Sequence, residues 1–157
     1  MNKNLFLLAL ALTLSCSANQ GPLKHPMDKS ESKTIKLENG LKVYLLSDPD
    51  FNVCAASMSV EVGSYQDPDN RQGMAHFLEH MLFLGTEKYP DVDEYSTYLK
   101  TFGGYSNAYT AGDHTNYQLQ VLPDGFEGSL DRFAQFFISP LFTEEYTSRE
   151  VNAVNSE

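Results

Sequence analysis

The sequence predicts an α+β fold, a two-layer antiparallel sheet with helices on one side, and three observations predict it. Asn39-Gly40 separates two short strand-like runs, at 34–37 and 41–46, which is a strong hairpin signal. Period-two alternation marks 53–62, and two more strand-like runs, 105–111 and 116–122, flank a Gly-Asp turn. Leu130, Phe133, Ala134 and Phe137 then recur at i, i+3, i+4 and i+7, the spacing of one helix face. Hairpins that bury one face need a covering layer, and helices supply it. The chain has 157 residues, 41% of them hydrophobic and 20% charged, which suits one domain with a real core and argues against disorder.

From the N-terminus, residues 1–18 read as a signal peptide, 19–32 as a linker and 33–157 as the folded domain. Lys3 precedes an apolar run at 5–14 that is too short to span a bilayer, which needs about 20 residues. Two processing readings stand side by side. Cys16-Ser17-Ala18 offers cleavage before Asn19, whereas Thr13-Leu14-Ser15-Cys16 resembles a bacterial lipobox that would lipidate Cys16. Either implies an exported protein of the bacterial periplasm, soluble or held to the membrane through Cys16 alone. Cys54 then has no partner for an internal disulfide and reads as a small buried hydrophobe.

Each later element has its own signal. On the third strand Cys54, Ala56, Met58, Val60 and Val62 form one apolar face, opposite Ser57, Ser59 and Glu61. A loop rich in turn residues runs over 63–73. Residues 74–84 hold no turn former before Gly85, which suits a helix C-cap. Asp91 with Glu94 resembles a capping box, opening a helix that ends before Gly103-Gly104. Two strands follow at 105–111 and 116–122, then a helix after Pro123-Asp124-Gly125 that Ser139-Pro140 breaks. Thr143 caps a last helix whose first turn carries Glu144 and Glu145, where the helix dipole favours acids.

The formal net charge of −10 comes with no Lys/Arg cluster, which excludes a phosphate-backbone partner and leaves no nucleic-acid role. Chemistry concentrates in His76-Phe77-Leu78-Glu79-His80. On a helix His76 and His80 stand one turn apart on one face, with Glu79 on its flank. The surrounding residues are apolar, as in a helix buried nearly all round, and a buried carboxylate without a partner costs several kcal/mol. The two histidines taken singly would be ordinary core residues. A zinc ion accounts for all three together, because neutral imidazoles bind it and the carboxylate can take a proton from water. The order of residues is the inverted zincin pattern. A catalytic zinc needs a third protein ligand. Glu144 and Glu145 have capping roles, whereas Glu150 and Glu157 are seven apart and would share a helix face, one as ligand and one in support. Spacing does not choose between them, and His114, in a turn, is a rival ligand.

The strings GMAHFLEHMLFLGTEKYP (73–90), GGYSNAYTAGDHTNY (103–117) and SREVNAVNSE (148–157) resemble the pitrilysin and insulin-degrading-enzyme family of zinc peptidases. The resemblance covers about 33–157 and implies part of a metallohydrolase domain of the pitrilysin and mitochondrial-processing-peptidase type. It implies one zinc ion per site, held by His76, His80 and Glu157, the last closing the string that here reads VNSE. Glu79 corresponds to the general base and Glu150 to a glutamate that supports activity. Asn107, Ala108 and Tyr109 resemble the edge strand along which the family binds extended peptides. Tyr109 stands where some relatives have Phe, and Leu78 where some have Cys. The implied function is a zinc-dependent endopeptidase acting on peptides or small unfolded polypeptides. Its alternative is a non-catalytic or scaffold homologue that binds peptides without cutting them. Family enzymes are much longer, so the remaining domains of a full-length chain are expected partners. The residues present are expected to bind zinc weakly and to have little activity alone.

Overall fold

A computed structural model describes residues 24–156 of the chain. The chain divides after Asp48 into two compact units. In the first, β1 (Glu31–Lys36) and β2 (Lys42–Ser47) form an antiparallel hairpin, in register from Glu31 opposite Ser47 to Lys36 opposite Lys42. The Gly40 N–H donates to the Leu37 carbonyl at 2.9 Å, and Gly40 has φ of 91° while Asn39 does not enter the positive-φ region. The connection is therefore a β-turn followed by a left-handed glycine, rather than a two-residue turn centred on Asn39-Gly40, which would need positive φ at both. The Asn39 side chain accepts from the Leu41 N–H at 3.1 Å and steadies the turn.

The second unit carries a three-stranded antiparallel sheet in the order β3-β5-β4, from Cys54–Val60, Thr115–Val121 and Tyr105–Thr110. The expected alternation on β3 is present: Cys54, Ala56, Met58 and Val60 are half-buried and the residues between them exposed. Central β5 buries Thr115, Tyr117, Leu119 and Val121 on the same face. Helices α1 (Met74–Leu82), α2 (Glu94–Thr101), α3 (Pro123–Ile138) and α4 (Glu144–Val154) complete the unit. The core joins Tyr117, Leu119 and Val121 of the sheet to Leu82, Tyr95, Leu99, Phe133 and Phe136 of the helices. Phe136 packs edge-on against both Phe83 and Tyr95, at centroid distances of 5.1 and 4.9 Å. This is the expected two-layer α+β arrangement.

Local differences have physical causes. Helix α2 starts at Glu94, because Asp91 spends its carboxylate on the Asp93 N–H at 2.9 Å in a local turn instead of capping. Helix α3 starts at Pro123, whose fixed φ and missing N–H suit the first helical position. Gly125 lies inside that helix, and the close packing there needs glycine, since a Cβ would sit 2.4 Å from Phe102 Cγ. Thr143 precedes α4 without a side-chain cap bond. Helix α1 is not buried all round: Glu79, Met81 and Leu82 are buried, but Met74 and Leu78, one turn apart, are 40% and 45% exposed. Cys54 is a half-buried free thiol. Among the described residues no helix is long and apolar enough to cross a membrane.

Candidate active site

Helix α1 begins abruptly. Gly73 takes the left-handed conformation, φ 85°, at its N-cap, a backbone position that disfavours side chains. The Asp67 carboxylate then accepts from two backbone donors, Oδ2 from Gly73 N–H and Oδ1 from Ala75 N–H, both at 2.8 Å. A negative group satisfies orphan donors and the helix dipole together. His76 follows immediately.

His76 and His80 face each other with their Nε2 atoms 3.2 Å apart and their rings nearly perpendicular. The far nitrogen of His80, Nδ1, lies 3.0 Å from Glu150 Oε2 on α4. Arg149 Nε donates to the other oxygen, Glu150 Oε1, at 2.9 Å. Burial pushes the Glu150 carboxyl up, but the bonds from His80 and Arg149 outweigh it and hold the group below the usual glutamate value. An ionised Glu150 favours the proton of neutral His80 on Nδ1, which leaves Nε2 as a lone pair turned toward His76.

Those two nitrogens fit a zinc ion. A tetrahedral site with bonds of about 2.0–2.1 Å holds two nitrogens about 3.3 Å apart, close to the separation here. Among the described residues no cluster of three His, Cys, Asp or Glu side chains forms a complete metal site. Glu157, the ligand implied by the family resemblance, lies outside the described residues, as does Cys16. Glu150 lies on α4, which runs to Val154 with Asn155 as its C-cap.

Glu79 is 7% exposed and points at the sheet, where Thr110 Oγ1 donates to its Oε2 at 2.6 Å. Burial, with the Glu79 charge adding to it, pushes the Tyr117 hydroxyl up to about 12, so this neighbour stays neutral. Strand β4 is an edge of the three-stranded sheet. Ala108 packs inward against the core, whereas Asn107 and Tyr109 are exposed. His114 is engaged at the β4–β5 turn, with Nδ1 2.7 Å from Asp113 Oδ1 and Nε2 3.3 Å from the Tyr109 hydroxyl. The structure thus brings together His76, His80 and Glu150, and sets Glu79 of the same helix as the histidines against Thr110 on β4. Sequence reasoning missed Asp67 and Thr110. The alternation of β4, which puts Thr110 on the face of Ala108, is the signal that could have found the second of them.

The family model described as Insulinase (Peptidase family M16) matches residues 42–157. The insulin-degrading enzyme of Drosophila melanogaster is 58% identical over 134 residues, which are 85% of this chain and 14% of that protein. The peroxisomal insulin-degrading enzyme-like 1 of Arabidopsis thaliana is 56% identical over 86% of this chain and 14% of its own length. The crystal structure of pitrilysin superposes with a TM-score of 0.80 at 42% identity, covering 85% of this chain and 14% of that one. The chain therefore spans about one seventh of the length of these proteins. The expected bacterial periplasmic location, soluble or as a lipoprotein, is overturned by the relatives, which are eukaryotic insulin-degrading enzymes, one of them named peroxisomal. A short apolar run such as 5–14 says only that the segment is too short for a bilayer span, and does not specify a compartment. On the match of its family model, with a fold and relatives that agree, this chain belongs to the insulinase family of peptidases, M16.

Proposed function

We propose that this chain carries the zinc site and general base of a zinc-dependent endopeptidase that cleaves peptides or small unfolded polypeptides. The observation that carries the reading is the pair of Nε2 atoms 3.2 Å apart on a helix that also carries the buried Glu79. His76, His80 and Glu157 would hold one zinc ion, and Glu150 would fix the His80 ring from behind. Zinc bound there supplies Lewis acidity, easing loss of a proton from water and polarising the scissile carbonyl.

The remaining work falls to the chain's own side chains. Glu79 accepts a proton as the water oxygen bonds to the carbonyl carbon. It then gives that proton to the departing amine nitrogen as the carbon–nitrogen bond breaks, which returns the carboxylate to its starting state. The edge of β4 at Asn107, Ala108 and Tyr109 offers backbone groups to an extended peptide, and the exposed Asn107 and Tyr109 side chains would contribute preference. The remaining domains of a full-length protein would complete the substrate enclosure.

The test uses the full-length enzyme. Glu79→Gln should keep its zinc by elemental analysis and lose peptide turnover, whereas His80→Ala should lose both. Normal turnover by Glu79→Gln would remove Glu79 from the role of base. A wild-type enzyme that binds peptides without cutting them would instead favour the non-catalytic homologue.

A further inference from the structure

We infer that Thr110 is a positioning residue for the Glu79 carboxylate, an inference that rests on the reading of Glu79 as general base. Glu79 is buried, and a buried carboxylate needs donors to remain charged. Thr110 Oγ1 lies 2.6 Å from Glu79 Oε2, within the short range of a hydroxyl donating to a charged oxygen. A threonine hydroxyl has one proton to give. The neighbouring hydroxyl does not compete for that bond: Thr115 Oγ1 donates to the Val62 carbonyl at 2.9 Å and stands 3.5 Å from Thr110 Oγ1. The proton of Thr110 is therefore committed to Glu79.

The donor is itself held. Thr110 closes β4 opposite Thr115, and its β-branched side chain has few rotamers. The next two carbonyls, of Ala111 and Gly112, accept from Ser64 and Tyr65 N–H at 2.9 and 2.8 Å. Gly63 permits this approach, since a Cβ there would lie 2.3 Å from the Ala111 oxygen. The same loop continues to Asp67, which holds the first turn of α1. One loop thus fixes both the helix that bears Glu79 and the strand end that orients its carboxylate. With Oε2 tied down, the plane of the carboxylate is set and Oε1 is the oxygen offered for proton transfer. Without that tie, the flexible Glu79 side chain would spend most of its time misaligned.

The experiment compares Thr110→Val, which keeps the shape and removes the hydroxyl, with Thr110→Ser, which keeps the hydroxyl, in the full-length zinc-loaded enzyme. Thr110→Val should lower kcat about ten- to a hundredfold, the scale of a small misplacement of a reacting group. KM and zinc content should stay near wild type, and a crystal structure should show the Glu79 carboxylate displaced. Thr110→Ser should recover most of the rate. Adding Thr110→Val to Glu79→Gln should cost nothing further. Should the valine variant not fold, Thr110→Ala takes its place in the same comparison. Full kcat in the valine variant, equal impairment of valine and serine variants, or zinc loss in parallel with activity would each overturn the inference. An active Glu79→Gln would overturn the general-base reading instead, so the two failures are distinct.

Discussion

Asp67 offers the sharpest test of how helix α1, which carries His76, Glu79 and His80, is held. Its two carboxylate oxygens each accept one backbone N–H at the start of α1, from Gly73 and Ala75, both at 2.8 Å. Hydrogen bonds to a charged acceptor contribute about 1.5–3 kcal/mol each. Loss of a helix cap typically costs about 0.5–2 kcal/mol. Asp67 is only half-buried, so water replaces part of what is lost. Asp67→Ala should therefore cost about 2–3 kcal/mol in urea denaturation, through a lower midpoint at unchanged slope. Asp67→Asn is the discriminating variant. Its amide presents one acceptor and one donor group, so one of the two N–H groups would face another donor, and at least half of the alanine cost should remain. A free energy within about 0.5 kcal/mol of wild type for Asp67→Ala, the size of an ordinary surface substitution, would refute the clamp. Wild-type stability for Asp67→Asn would refute the use of both oxygens.

Two other outcomes are expected. Glu150→Ala should weaken zinc binding about ten- to a hundredfold, as for other groups that orient a ligating histidine, read by competition with a coloured chelator. Glu150→Gln should lie between that and wild type, because an amide oxygen can still accept from His80 Nδ1; affinity unchanged in both variants would separate Glu150 from the site. Tyr95 and Tyr117 are both raised to about 12, burial being the main cause in each. Their folded values lie above the unfolded one, so the stability they contribute is complete below about pH 10 and lost as pH rises toward 12. Tyrosinate absorbance should show a late-titrating pair ahead of alkaline unfolding, and Tyr117→Phe should shrink the loss. A single titration of every tyrosine near 10 in the folded protein would contradict their burial.

The parts of the site that could be read from the sequence are those whose residue types are rare. Two histidines four apart with an adjacent glutamate demand a common explanation, and the helix over Met74–Leu82 sets them facing one another. Alternation on β3 is equally plain, with Cys54, Ala56, Met58 and Val60 on one half-buried face. Burial of α1 was overread: apolar residues all round its sequence do not prevent Met74 and Leu78 from lying on an open flank. The supports escaped for a different reason. Asp67 reaches backbone atoms six and eight residues later across an irregular loop, where no periodicity announces a partner. Its residue type is what any turn would use, and Asp91, read as a cap, turned out to be such a turn residue. Thr110 meets Glu79 from 31 residues away, through a register that joins it to Thr115 at the end of the sheet. That case was half legible. Ser106, Ala108 and Thr110 share the inward face of β4, so the inward hydroxyl at the strand end, rather than the small Ala108, is the group able to donate to a carboxylate on the covering helix. Catalytic chemistry is written in residue identity, whereas its positioning is written in register. A sequence reading that carries strand register through to the neighbouring helix would find such a partner before the structure does.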